Sequence, residues 1–130
     1  MSGLRSRNKG KSGEREAAEL LRGLGFQQAR RGVQYQGGAE SPDVVGVPGV
    51  HFEVKRTESL SLYPAMRQAI DESAPGDVPV VLHRRSREDW LFVVPAAYVR
   101  EFVDVMGKAL NQQATGGDLL PAERQEASDG

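Results

Sequence analysis

The stretch Ser41-Pro42-Asp43-Val44-Val45-Gly46-Val47-Pro48-Gly49-Val50-His51-Phe52-Glu53-Val54-Lys55-Arg56 decides the fold. Val44-Val45 and His51 to Arg56 read as strands, and Val47-Pro48-Gly49-Val50 between them reads as a turn. The pair is therefore a hairpin. Alternate side chains of a strand share a face, so Glu53 and Lys55 project together while Phe52 and Val54 point into a core on the other side. Asp43 opens the first strand, and the hairpin brings it back beside Glu53.

Upstream, Ser12 is the expected N-cap of a helix, although Arg15 stands where a full capping box would have an acid or amide. Ala17, Leu20, Leu21 and Leu24 recur at helical spacing, and Gly25 ends the run. Phe26 to Arg31 reads as a short strand or turn, and Gly32 to Ser41, centred on Gly37-Gly38, as a mobile loop. Downstream, a helix is expected from about Tyr63 to Glu72, then a loop at Ala74-Pro75-Gly76-Asp77. Val80-Val81-Leu82 and Leu91 to Val94 read as two strands joined by a charged turn. Pro95 can open a last helix as its first residue, with Val99, Phe102, Val103 and Met106 along one face. The expected order is α-β-β-β-α-β-β-α, an α/β fold with a mixed central sheet flanked by helices. The expected organisation is a flexible basic arm (1–11), a single domain (12–110) and a disordered acidic tail (111–130).

A chain of 130 residues, 38% hydrophobic and 27% charged, supports one compact core. No stretch approaches the roughly 18 apolar residues of a membrane helix, and the basic start leads into no apolar core, so neither membrane insertion nor a secretory signal is expected. Cysteine is absent, which excludes disulfides, zinc-thiolate sites and thiol catalysis. The default location is the cytoplasm, that of the host if the chain is phage-encoded. The formal net charge of −1 hides an asymmetry. Residues 1–35 hold eight basic side chains against three acidic ones, and 101–130 hold six acids against Lys108 and Arg124. Such a front is either a local anion-binding surface or an ordinary solvated face.

The chemistry concentrates at Asp43, Glu53 and Lys55. Two carboxylates brought together on a strand pair are costly unless a cation neutralises them. Oxygen-only ligands favour a hard ion, Mg²⁺ with Mn²⁺ as a substitute. An ammonium beside such a site can orient or deprotonate a water and stabilise charge on phosphate. Glu-x-Lys alone is a common solvated ion pair on strands. The combination of Pro-Asp, apolar strand, Gly turn and alternating strand is more specific. Lys9, Lys11, Arg15, Arg30 and Arg31 flank the cluster in sequence as candidate phosphate contacts, with Arg56 a further one. His51 shares the strand face of Glu53 and can lie near the site, although a lone histidine is more often structural; His83 reads as structural. Tyr35 is a weak candidate for stacking on a base.

Asp43 with Glu53-Val54-Lys55 resembles the PD-(D/E)xK nuclease signature. Lys9-Gly10-Lys11 followed by Gly13-Glu14-Arg15-Glu16 resembles the opening helix of archaeal and phage Holliday-junction resolvases. Arg30-Arg31-Gly32 through Gly37-Gly38 to Asp43 resembles their Gly-rich loop, and Gln68 stands where related enzymes carry a glutamine. The resemblance runs from about Lys9 to Val94. It implies a restriction-endonuclease-like fold and Mg²⁺-dependent hydrolysis of DNA phosphodiesters. Asp43 and Glu53 would bind the metal, with the Val54 carbonyl an extra ligand and Glu14 completing the cluster. Lys55 would position the attacking water, supported by Gln68. Branched DNA, especially a four-way junction, is the implied substrate, and a homodimer the implied assembly. A duplex or single-strand nuclease of phage, repair or restriction type and a non-cleaving DNA-binding module stay open as alternatives.

Overall fold

A computed structural model of the chain describes the backbone of residues 2–32 and 43–116, and the side chains of 12–32 and 43–112. The side chains of Lys9 and Lys11, the Gly37-Gly38 segment with Tyr35, Ser41 and Pro42, and the tail beyond 116 lie outside the described residues. Helix α1 (Ser2–Gly23) leads into strands β1 (Arg30–Arg31), β2 (Val44–Val45) and β3 (Val50–Arg56). Then follow helix α2 (Leu62–Glu72), strands β4 (Val78–Arg84) and β5 (Leu91–Val93), a short 3-10 helix (Ala96–Tyr98) and helix α3 (Val99–Gly116). The fold is α/β, a mixed five-stranded sheet with three α-helices in the order α-β-β-β-α-β-β-α. No helix among the described residues is long and apolar enough to cross a membrane.

The strands lie in the order β1-β2-β3-β4-β5. All neighbours are antiparallel except β3 and β4, which run parallel with Glu53 beside Val81 and Lys55 beside His83. Parallel neighbours need a crossover, and α2 supplies it. The β2–β3 hairpin turns through Pro48-Gly49: the Val50 N–H donates to the Val47 carbonyl at 3.3 Å, and Gly49 has φ +86°. Proline at the second position of a turn and a positive-φ glycine at the third is the type II pattern.

The two faces of the sheet bury different elements. Phe52, Val78, Val80 and Leu82 pack on one side against Ala17, Ala18 and Leu21 of α1 and Ala109 of α3. Val81 packs on the other against Ala65, Met66 and Ala69 of α2. Period-two alternation thus sends Phe52 into the main core and leaves Glu53 facing α2.

Three sequence-based boundaries differ. Helix α1 begins at Ser2 rather than after Ser12; no proline interrupts the run, and its Arg, Lys and Glu residues are good helix formers. Pro95 precedes the 3-10 turn, and α3 starts only at Val99 and continues past 111. Its inner stripe is Phe102, Val105, Met106 and Ala109. Val99 and Val103, expected on that face, are exposed, because the i, i+3, i+4, i+7 series that meets the core starts at Phe102.

Helix α1 crosses β3 closely at Gly13, where an added Cβ would fall 2.5 Å from the Cβ of Arg56. Alanine is favoured over glycine inside a helix by about 1 kcal/mol. Here that gain is offset by overpacking against a rigid strand, which costs about 1–3 kcal/mol. Gly13→Ala is therefore expected to lower the thermal unfolding midpoint, as followed by circular dichroism. A rise would show that α1 does not press on β3 at this point.

Candidate active site

The hairpin register sets the first carboxylate. The Asp43 N–H donates to the Phe52 carbonyl at 3.1 Å, and its own carbonyl accepts the Gly32 N–H at 2.9 Å. With the backbone fixed on both sides, the Asp43 side chain reaches across to β3, where Oδ2 accepts the Val54 N–H at 2.8 Å. Val54 thus meets the site through its main chain, while its side chain packs against the main core.

Glu53 is nearly sealed at 4% exposure, on the sheet face covered by α2. Its Oε1 lies 3.2 Å from His51 Nε2, two residues earlier on the same strand face. Its Oε2 accepts a hydrogen bond from Gln68 Nε2 at 3.0 Å. The same Gln68 accepts the Lys55 ammonium on Oε1 at 2.9 Å and reaches Glu72 Oε2 at 3.4 Å. One amide on α2 therefore ties together the charged residues of β3 and a further carboxylate one helical turn on.

The expected residues are placed as follows. Asp43, Glu53, Lys55 and Gln68 come together around the β2–β3 hairpin and α2. Glu14, on α1, is near enough for its charge to act on Asp43, but its Oε1 is engaged by Arg31 Nε at 2.9 Å. Arg31 is accordingly a partner of Glu14. Arg56 is also committed internally, with Nε 3.3 Å from Glu16 Oε1 and Nη1 3.5 Å from Glu58 Oε2. Arg84 shares Glu16 at 3.0 Å. Arg15 and Arg30 are exposed, although Arg30 Nη1 also touches the Gln28 carbonyl at 3.1 Å. His83 bonds the Thr57 carbonyl at 3.0 Å, in keeping with a structural role.

Sequence reasoning missed Glu72 and gave His51 little weight. His51, Glu53 and Glu72 each present a ligand atom within 4.8 Å of the other two. The signal for Glu72 was its position four residues after Gln68, which puts both on one face of α2.

The electrostatics are those of crowded carboxylates. Burial, then the charge of Glu53, push the Asp43 carboxyl up to about 7; Glu14 adds to the rise. The Val54 N–H and the Lys55 ammonium pull the other way and do not win. Glu72 is raised too, first by burial and then by Glu53, against the Gln68 hydrogen bond and His51. Carboxylates that resist ionisation in each other's company are what a bound cation relieves. Asp43, Glu53 and Glu14 offer only oxygen, the ligand type of a hard ion, but among the described residues the group whose ligand atoms lie within 4.8 Å of one another is His51, Glu53 and Glu72, and Glu14 is turned to Arg31.

No protein-family model, curated protein or solved structure matches the chain.

A carboxyl whose folded pKa is raised stabilises the fold fully below its ordinary value of 3.8, and this contribution is lost as pH rises through about 7. Asp43→Asn keeps an acceptor for the Val54 N–H and removes the charge. In EDTA at pH 8 the variant is expected to be more stable than the parent, by on the order of 1–3 kcal/mol. The advantage should shrink toward zero near pH 4, as read from urea unfolding at the two pH values. Equal stability at pH 8 would mean that Asp43 ionises without strain.

Proposed function

We propose that the protein is a metal-dependent endonuclease of the PD-(D/E)xK type that hydrolyses DNA phosphodiesters. The observation that carries this reading is the hairpin. It sets the half-buried Asp43 carboxylate against the Val54 N–H, next to Glu53, with Lys55 on the same strand face held by Gln68. A sheet in which an antiparallel hairpin is followed by a helical crossover to a parallel strand is compatible with a restriction-endonuclease-like fold.

Asp43 and Glu53 would hold the cation, with the Val54 carbonyl as a further ligand and Glu14 completing the set. Mg²⁺ or Mn²⁺ would supply there an activated water and a Lewis acid for the phosphate. Lys55 aims its ammonium at the attacking water and the phosphoryl oxygens, where it stabilises the charge that builds in the transition state. Gln68 fixes the lysine through Oε1 while its amide nitrogen holds Glu53, so the base-side and metal-side groups keep one relative geometry. The substrate we favour is branched DNA such as a four-way junction, cut symmetrically by a homodimer.

The test is a gel assay with a labelled four-way junction, linear duplex and single strand, each in Mg²⁺ and in EDTA. Cleavage is expected in Mg²⁺ only, and Glu53→Ala and Lys55→Ala should each lower its rate by about 10²–10⁴-fold. Paired cuts confined to the junction support the resolvase reading. Cuts in linear DNA keep the active site and replace its substrate. Absence of cleavage in both Mg²⁺ and Mn²⁺, with DNA binding retained, would leave a binding module.

DNA contact falls to the cationic side chains outside the internal ion pairs. Arg15→Ala and Arg30→Ala are each expected to weaken binding to all sequences alike. Each should flatten the slope of log affinity against log salt by about one. An unchanged slope in a filter-binding titration would move the DNA surface elsewhere.

A further inference from the structure

Both oxygens of Glu53 meet partners on the sheet face covered by α2, Oε1 at His51 Nε2 (3.2 Å) and Oε2 at Gln68 Nε2 (3.0 Å), so a nitrogen ligand stands beside the carboxylate. His51 and Glu53 are 2% and 4% exposed, and Glu72 reaches them from the last turn of α2. Their ligand atoms lie within 4.8 Å of one another. Donors about 2.1 Å from a tetrahedral ion stand about 3.4 Å apart, so closing onto one would take a tightening of at most ~1.4 Å. Gln68 Nε2 already contacts one oxygen of each glutamate, at 3.0 and 3.4 Å. The amide holds the two carboxylates close together, and a cation between them would take the place of one or both of these hydrogen bonds.

A buried His-Glu pair is by itself an ordinary structural contact. Here a third donor arrives from a different element, carried by the β3–α2–β4 crossover, and carries a like charge to a buried carboxylate. We propose that His51, Glu53 and Glu72 form a second divalent-cation site, distinct from the one at Asp43 and sharing Glu53 with it. The imidazole nitrogen favours a borderline transition ion such as Zn²⁺ over Mg²⁺, and the two carboxylates let Mn²⁺ bind as well. Three protein donors leave coordination positions open to solvent or substrate. Binding replaces the His51–Glu53 contact and requires the ligating imidazole nitrogen to be free of its proton.

This site stands or falls on ion binding and does not depend on DNA cleavage. The experiment is a calorimetric titration of the full chain with Mn²⁺, together with a Co²⁺ titration followed by visible absorption. The parent is expected to take up Mn²⁺ at two positions. Glu72→Gln, a half-buried helix residue whose replacement keeps the fold, should weaken one of them at least about 10-fold. His51→Gln should do the same and change the Co²⁺ spectrum, which reports nitrogen ligation. Asp43→Asn should remove the other position and leave this one. Mn²⁺ isotherms identical in the parent and Glu72→Gln would overturn the proposal, whether or not His51→Gln folds. A single position abolished by Asp43→Asn and untouched by Glu72→Gln would overturn it while sparing the nuclease reading. A single position sensitive to Glu72 and insensitive to Asp43 would support it and sink the Asp43 cation instead.

Discussion

The 2.8 Å bond from the Val54 N–H to the Asp43 carboxylate fixes the relation between the two strands on which the site depends. The side chain of the residue just before β2 accepts a main-chain proton of β3, so the carboxylate is anchored to the strand that carries Glu53 and Lys55. The bond favours an ionised Asp43, yet burial and Glu53 outweigh it and the carboxyl sits near 7. Geometry is thus held by a contact whose electrostatic benefit is already overdrawn. A protein gains nothing in stability from such a balance. A cation bound as proposed above would relieve it.

The second constraint is the crossover. Because β3 and β4 are parallel, α2 must lie across the sheet, and it lies on the face opposite α1 and α3. That is the face onto which alternation sends His51, Glu53 and Lys55. Ala65, Met66 and Ala69 bury the helix, and the same helix then presents Gln68 and Glu72 to the strand. Small residues at the contact let the helix sit close, so an amide side chain can span from Lys55 to Glu53. Packing and chemistry use adjacent faces of one helix.

The hairpin was legible because its signals are local: a Pro-Gly turn, β-branched runs and strict alternation from Phe52 to Lys55. Asp43, Glu53, Lys55 and Gln68 follow from that register and from the family resemblance, and the structure brings the four together. Strand order was not legible in the same way, although strand, eleven-residue helix and strand in succession is the pattern of a parallel crossover. Glu72 hid in plain view as an ordinary helical glutamate; only the i, i+4 relation to Gln68 distinguishes it. On α3 the sequence placed Phe102 and Met106 on the inner face correctly, but added Val99 and Val103, which fit a helical period as well as Val105 and Ala109 do and are exposed. Periodicity identifies a stripe, and the sheet decides which stripe is buried.

The charge count of the N-terminal segment takes on a different meaning once its partners are known. Residues 1–35 carry a clear basic excess, but Arg31 closes on Glu14, and Arg56 and Arg84 close together on Glu16. These pairs join α1 to β1, β3 and β4, so they position the helix that brings Glu14 toward Asp43. These guanidiniums are engaged by carboxylates of the fold, Arg56 the most enclosed of them, although the pairs of Arg31 and Arg84 are about a third exposed and correspondingly weak. Arg56 above all is a poor candidate for a phosphate that comes and goes. If the chain binds DNA as proposed, the exposed Arg15 and Arg30 outside these pairs are more informative than the total charge of the segment that contains them.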